Sequence, residues 1–460
     1  SVKLPGLLMK AKWSCALLAW LLPSAPVLAA AELVVNFAQT NGAIRALHGV
    51  NAGPLCSRGL VDLSAYHQEL SLPLARLHDV PWGNFEAVDI STIFRDFRND
   101  AADPASYSFA QTDDYLAATL GASGPVLYRL GESIEHTPHK YRVHPPADFA
   151  KWSEIASNLI RHYNEGWAGG FHHGIRYWEI WNAPDNTPAM WPGTDEQFLA
   201  FYAPAATTLK KRWPELRVGG PGLANAGRCQ NGKFKPSAYL LRFLKHCREN
   251  QVPLDFLSWH RYTKDPSEFA RLIRSMRQVL DAEGFTRTES HLNEWNYLPR
   301  DDWKPLTTGG QGVMRDEWLA EMHGPRGAAF AAWTLISFQG EPLNMANFFT
   351  SDNQVLGMFN ANGVPEKNFY AFKAFRALLD TPRRVQTPPC GSGKPAVCAG
   401  LSQDNTRAAI LLSSFFPGDD APTLALRGLP WQTPSWFDVY LVTESHSLDK
   451  VRSGVVPKDA

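Results

Sequence analysis

The sequence predicts an α/β fold: a closed (β/α)8 TIM barrel with a small flanking β-sandwich built from the C-terminal tail and an N-terminal strand. Three observations lead to it. Short apolar or β-branched runs alternate with amphipathic stretches through most of the 460 residues, the pattern of repeated β-α units on a parallel sheet. Eight such runs occur, the number that closes a barrel. Beyond the amphipathic stretch "EKNFYAFKAFRALLD" the pattern changes to short alternating runs separated by Pro, Gly and Asp, as in antiparallel strands. The expected division is a leader over 1–31, a strand belonging to the sandwich over 32–45, the barrel over 46–380 and the sandwich over 381–460.

The leader combines a basic start (Met9, Lys10, Lys12), the apolar run "CALLAWLL" and a small-residue cleavage sequence, "VLAAAE", near Ala29 to Ala31. It predicts export to the periplasm or beyond. An uncleaved leader would instead hold the protein at the inner membrane, although its apolar run is too short for a permanent span. "ELVVNFA" (Glu32–Ala38) then reads as the strand that joins the tail. The eight barrel runs are Arg45–Asn51, Leu72–Val80, Pro125–Ser133, Ile175–Pro184, Leu216–Asn225, Leu254–Tyr262, Ser290–Asn296 and Ala328–Phe338. Between them, "PADFAKWSEIASNLIRHYNEG" sets Phe149, Trp152, Ile155, Ile160 and Tyr163 along one helical stripe, and "DEQFLAFYAPAATTLKKRW" and "SEFARLIRSMRQVLDAEG" repeat the pattern. In the tail, "TRAAILLSSFF", "TLALRGL" and "WFDVYLVT" supply the strands.

Lys plus Arg balance Asp plus Glu at 45 each, so net charge gives no reason to bind nucleic acid or an anionic membrane. A neutral ligand fits better, and the 16 Trp and 13 Tyr offer flat faces that suit sugar rings as well as ordinary cores. The expected state is a monomer with neither cofactor nor metal. His136, His139 and His144 sit in a Pro-rich loop without ligand spacing, and His172 and His173 point opposite ways if extended. "GSGK" at Gly391 lacks the leading glycine and the Ser or Thr of a phosphate loop, and "GGPGLANAG" lacks the glycine spacing of a dinucleotide turn. Cys390 and Cys398 bracket the turn-like "GSGKPAV" and form the expected disulfide of an exported protein; Cys229 with Cys247 is a second pairing, and Cys56 is left free.

In a closed barrel the carboxyl ends of the strands gather, in chain order, Asn51, then Arg76, His78 and Asp79, then Arg129 and Glu132, then Asn182, then His260 and Tyr262, then Glu294. The fourth and seventh strands stand on opposite sides of that mouth, where two carboxyl groups about 5 Å apart would make a retaining glycosidase. Glu294 supplies one of them. In "YWEIWNAPDN" the residue after Asn182 is Ala183, whose methyl group has no chemistry. On residue chemistry alone, Glu294 serves equally as a structural partner of Arg76, His260 as a satisfied core histidine and Trp333 as barrel filling.

"WNAPDN" resembles the Trp-Asn-Glu-Pro signature of the clan A glycoside hydrolases with its Glu replaced by Ala183, and "NEWN" around Glu294 resembles their nucleophile strand. With "SWHRY" and the flanking sandwich, nearly the whole mature chain is similar to glycoside hydrolase family 39, which includes β-xylosidases and α-L-iduronidases. Within it, the chain is most similar to exported Psl-type glycosidases that cut a mannose-rich biofilm exopolysaccharide internally; the spacing from Ala183 to Glu294 (294 − 183 = 111 residues) agrees. The resemblance implies that Glu294 is the nucleophile, Ala183 the seat of a missing acid/base, and Asn182 the partner of the sugar 2-hydroxyl. It implies that Tyr262 and Arg76 keep Glu294 ionised, that His260 contacts the acid/base position, and that His78, Glu132, Trp295 and Trp333 touch substrate, Trp333 as the floor of a subsite. A groove lined by Trp82, Trp181, Trp191 and Trp295 would mark internal cutting; a closed pocket would mark an exo-acting β-xylosidase type. Ala183 has three explanations: an inactivating substitution that lets substrate bind uncut, a natural loss in a binding-only relative, or replacement of its role by Asp185. The first is preferred, because Asn182, Pro184 and Glu294 are all intact.

Overall fold

The structure, a computed structural model, describes residues 32–83, 85–230, 233–307, 309–416, 423–431 and 435–456; the expected leader lies outside them. Eight parallel strands close a barrel: Gly49–Asn51, Ala75–Leu77, Val126–Leu130, Tyr177–Ile180, Arg217–Leu223, Phe256–Thr263, Glu289–Tyr297 and Met345–Phe348, numbered first to eighth below. The first seven fall on the expected runs. Helices Phe149–Glu165, Asp195–Arg212 and Ser267–Ala282 also form where the apolar stripes required them. Asp148 caps the first of these by accepting from the amides of Ala150 and Lys151, and Thr194 with Gln197 makes a capping box on the second.

The eighth strand is the exception. Ala328–Phe338 falls largely in a helix, Pro325–Ser337, and the barrel is closed instead by Met345–Phe348. This helix packs against the seventh strand, helix Lys367–Leu378 and the flanking sheet, so it is buried on nearly every side. A helix enclosed in that way has no polar face, and its sequence reads like a buried strand. Trp333 therefore lies outside the barrel. Its Nε1 donates to the Lys394 carbonyl at 3.0 Å and its ring meets Phe416, so it is not the floor of the mouth.

The flanking unit is a five-stranded sheet in the order Ala408–Ser413, Ala396–Leu401, Arg383–Gln386, Glu32–Ala43, Thr423–Arg427, with a separate hairpin of Trp436–Val442 and Ser447–Val455. The N-terminal strand runs antiparallel to Arg383–Gln386 and parallel to Thr423–Arg427, which ties the two ends of the chain together. Val35, Phe37, Val385, Val397, Ala399 and Leu401 form the sheet's own apolar core. The five described cysteines are all free thiols, so the expected Cys390–Cys398 disulfide is absent, as is Cys229–Cys247. Cys390 and Cys398 pack as small apolar groups, and burial pushes their thiols up to about 12 and about 11, which holds them protonated and unreactive. No helix among the described residues is long and apolar enough to cross a membrane.

Inside the barrel, side chains alternate in and out along each strand and stack in layers. At the amino ends, Leu74, Leu127 and Phe256, with Tyr177 and Met345 against them, make an apolar plug. Above it Asn51, Arg76, Glu179, Ser258, Asn293 and Asn347 form a fully buried polar layer, on which the mouth rests. Trp333→Ala should lower stability by about 3–5 kcal/mol, the usual cost of emptying a large core site, read as a fall in the denaturant midpoint.

Candidate active site

Arg76, wholly buried on the second strand, organises the mouth. Its Nε donates to Glu179 Oε2 at 2.6 Å, Nη1 to Asn51 Oδ1 at 3.0 Å and to Glu294 Oε1 at 2.9 Å, and Nη2 to Asn182 Oδ1 at 2.6 Å. One guanidinium thus joins the first, fourth and seventh strands and the turn after the fourth. Burial opposes its charge, but Glu179 and Glu294 outweigh that and hold its pKa above the ordinary value. Glu179 is held from below by Ser258 Oγ at 2.5 Å and Asn293 Nδ2 at 2.6 Å, so its oxygens are occupied inside the barrel.

Glu294 reaches the mouth through a bulge. Trp259 pairs with Leu292 but His260 pairs with Glu294, and the eighth strand shows the same slip, leaving Asn293 as the extra residue. A bulge breaks strict alternation, so Asn293 and Glu294 both point inward, one into the buried layer and one above it. Burial raises the Glu294 pKa, and Arg76 and the Tyr262 hydroxyl, which donates to Oε2 at 2.7 Å, work against that rise. His260 Nδ1 lies 3.3 Å from the same oxygen. Burial, then Arg76, drives His260 well below its ordinary pKa, so it is neutral; with its proton on Nδ1 toward the carboxylate, Nε2 is left as a buried acceptor without a partner. His78 is neutral for similar reasons, burial first and then Arg76 and Arg129. Its Nδ1 accepts from Arg129 Nε at 3.1 Å, which leaves the proton on Nε2, 3.3 Å from Asp79 Oδ1 and 3.8 Å from Glu294 Oε1. Burial, together with nearby Glu294, pushes Asp79 up to about 6 against the Ile134 amide that it accepts from.

The fourth strand ends in a turn with two non-glycine residues in the left-handed region, Trp181 at φ 70° and Ala183 at φ 45°. The Ala183 amide donates to the carbonyls of Pro221 and Gly222 at 2.9 and 2.8 Å, which pins the turn to the fifth strand. A Cβ at Gly222 would stand 2.8 Å from Asn182 Oδ1 and 3.2 Å from His260 Nε2, so this position tolerates no side chain. With Oδ1 engaged by Arg76, Asn182 has its amide NH2 left to donate. Asp185 accepts from the amides of Ala224 and Asn225 at 2.9 and 2.8 Å, which directs it to the loop beyond the fifth strand.

The structure thus brings Arg76, His78, Asn182, His260, Tyr262 and Glu294 together around the Ala183 turn. Glu132 is not among them: it accepts from the Ser91 amide and hydroxyl at 3.0 and 2.5 Å, and burial, then Asp89, pushes it up to about 8. Trp295 is a correction. Next to inward-facing Glu294 it points outward and packs on Phe269, Phe338 and Phe348. Trp181 and Trp191 are also buried, against each other and Phe201, so the proposed tryptophan groove is reduced to half-buried Trp82. One mouth aromatic escaped sequence reasoning: Trp303, 41% exposed, stands 5.0 Å from the Tyr262 ring. Its signal was a lone indole in the polar loop "PRDDWKPL" directly after the seventh strand.

Tyr262→Phe removes a donor that favours the charged form of Glu294 and should raise the carboxyl pKa further. A hydrogen bond to a charged group is worth about 1.5–3 kcal/mol, so the rise should be about one to two pH units, read by carboxyl-carbon NMR titration. An unchanged titration would show that Tyr262 does not stabilise the carboxylate.

A family model described as "Glycosyl hydrolases family 39" matches residues 55–379. The chain is 27% identical over 259 residues to a beta-xylosidase of Caldicellulosiruptor saccharolyticus, covering 52% of this chain and 49% of that one. A beta-xylosidase of Geobacillus stearothermophilus is 24% identical with the same coverage, so the chain spans about half the length of these relatives. Among solved structures, a glucosidase from Croceicoccus marinus superposes with a TM-score of 0.74 at 25% identity, covering 93% of this chain and 94% of that one. A GH39 beta-xylosidase from Caulobacter crescentus shares the fold with a TM-score of 0.64 at 18% identity, covering 90% of this chain and 86% of that one. With the family model spanning well over half of its length, the chain belongs to glycosyl hydrolase family 39.

Proposed function

We propose that the protein is an exported, retaining glycosidase in which Glu294 is the nucleophile and position 183 the seat of the acid/base, impaired here by Ala183. The observation that carries this reading is the treatment of Glu294: a bulge turns it into the mouth, and Arg76 and Tyr262 donate to its carboxyl against the upward push of burial. An ionised carboxylate with restricted solvation is what attack on an anomeric carbon needs. Asn182, with a free NH2, suits a sugar hydroxyl near that carbon. The acid/base role at 183 is supported by His260, whose Nε2 is a buried acceptor with no partner against Gly222, the residue whose carbonyl holds the Ala183 amide. A protonated carboxyl at 183 is the donor it lacks. Asp185 is a poor substitute, since the two loop amides hold its carboxylate.

The substrate we favour is a mannose-rich bacterial exopolysaccharide cut internally, as in the Psl-type enzymes that the motifs resemble. The second reading is an exo-acting β-xylosidase type, favoured by the printed activity of both sequence relatives. A binding-only protein is the third.

Loss of the acid/base should spare substrates whose leaving group needs no proton. A glycosyl fluoride of the correct sugar should therefore form a covalent adduct on Glu294, visible by intact mass, and then hydrolyse slowly. Azide should accelerate turnover with retained configuration by entering the space left by the carboxylate. Ala183→Glu should restore cleavage of unactivated substrate by about 10²–10⁴-fold, the typical worth of a general acid/base, with its new carboxyl about 5 Å from that of Glu294. No adduct with mannosyl, xylosyl or glucosyl fluoride, and no gain on Ala183→Glu, would leave the binding-only reading.

A further inference from the structure

We propose that Trp303 and Tyr141 are stacking platforms for sugar rings on opposite sides of the Glu294 mouth, so that the mouth binds an internal stretch of a carbohydrate chain. This rests on the mouth being a carbohydrate site and extends it to the length of substrate bound.

Trp303 lies in the loop after the seventh strand, between the turns Pro299–Asp301 and Lys304–Leu306. Its ring is 5.0 Å from that of Tyr262 at 70°, and the Tyr262 hydroxyl bonds Glu294, so the indole is two contacts from the carboxylate. The loop presents it firmly. Asp301 accepts from the Lys264 amide at 2.7 Å, the Asp302 carbonyl from Trp318 Nε1 at 3.0 Å, and Leu298, Trp318 and Met322 pack beneath. Among the described residues only Trp303 and Trp436 are exposed tryptophans, and Trp436 is on the tail hairpin. The exposed indole beside Tyr262 offers a flat apolar face with a polar edge, the kind of surface that a sugar ring stacks on.

Tyr141 repeats the arrangement across the barrel. It lies in the loop after the third strand and is 70% exposed. The amides of Tyr141, Arg142 and Val143 all donate to Glu135 Oε2, at 3.0, 3.0 and 3.2 Å, and the His139 ring braces the phenol at 4.6 Å. In the closed order of eight strands the third and seventh are four apart, hence diametrically opposed, and both loops follow carboxyl ends. The roots of the two loops therefore face each other across the mouth. Sugar rings offer C–H faces to aromatic faces and hydroxyl edges to polar groups, and Asp79, its side chain 20% exposed, and Asn182 supply polar groups at the mouth. A terminal sugar in a closed pocket would need neither ring.

The test uses the Ala183 chain as it stands, titrated calorimetrically with mannose, xylose and glucose and with their β-1,4-linked di- and tetrasaccharides. In one series the tetrasaccharide should bind at least about ten-fold tighter than the disaccharide. Trp303→Ala and Tyr141→Ala should each shrink that advantage about ten-fold, and Trp303→Phe should restore most of it. Tyr141, exposed and outside the core, keeps the test valid if Trp303→Ala fails to fold. An advantage unchanged in both alanine variants, or no tetrasaccharide advantage in any series, would overturn the platforms and leave a pocket for short ligands. Failure of Glu294 adduct formation alongside platform-dependent binding would remove the chemistry and leave the platforms; the converse would remove only the platforms.

Discussion

The guanidinium of Arg76, enclosed in the barrel between Glu179 and Glu294, is the interaction on which the rest of the mouth depends. A single buried charge is costly, and two buried carboxylates beside one cation are tolerable only when nearly every lone pair is satisfied. The planar fork of arginine makes that possible, because its donors leave in fixed and different directions. Glu179 is completed by Ser258 and Asn293, Glu294 by Tyr262 and His260, and the neutral oxygens of Asn51 and Asn182 take the remaining donors. A lysine, with a point charge on a flexible stem, could not connect the same four acceptors. The arrangement is asymmetric in burial: Glu179 is closed off below, while Glu294 keeps 7% of its side chain open toward the mouth. The same cation therefore lies between one carboxylate closed off in the core and one that opens to the mouth.

Regular strands could not have delivered these side chains. Strict alternation would set neighbours on opposite faces, as it does for Trp295 beside Glu294. The bulge at Asn293 adds one residue so that two successive polar side chains face inward at different heights. The turn at Trp181 to Ala183 has the same purpose by another route. It takes two non-glycine residues into the left-handed region, a conformation that persists only where the surroundings fix it. The carbonyls of Pro221 and Gly222 do the fixing, and the bare Cα of Gly222 leaves room for Asn182 and His260.

This division explains what was legible in the sequence. Seven strands carried either strong β-branched or aromatic runs or a polar residue at a carboxyl end, and the site residues Arg76, Asn182, His260, Tyr262 and Glu294 lay on four of them or at their ends. The eighth strand, Met345–Phe348, is only four residues long and was outcompeted by a longer apolar run that tertiary enclosure makes helical. Trp333 was misplaced with it, and Trp295 was misplaced because the side a residue faces depends on register as well as proximity in sequence. Cys390 and Cys398 are close in the chain, but spacing carries no information about sulfur geometry. Trp303 was overlooked because loops have no period to read, and its meaning comes from exposure beside Tyr262.

Ala183 can be understood from the same network. The ion cluster of Arg76, Glu179 and Glu294 forms without any side chain at 183, and the turn is held by the backbone amide of Ala183. A side chain there is neither a partner in the ion cluster nor a support for the turn. A methyl at that point consequently leaves Glu294, its donors and the adjacent Asn182 undisturbed, beside the unpartnered Nε2 of His260. Most positions around a buried charge are coupled, so that loss of one group disturbs the others. Position 183 is set apart from that coupling by the fold, so the side chain there can vary without disturbing the ion cluster beside it.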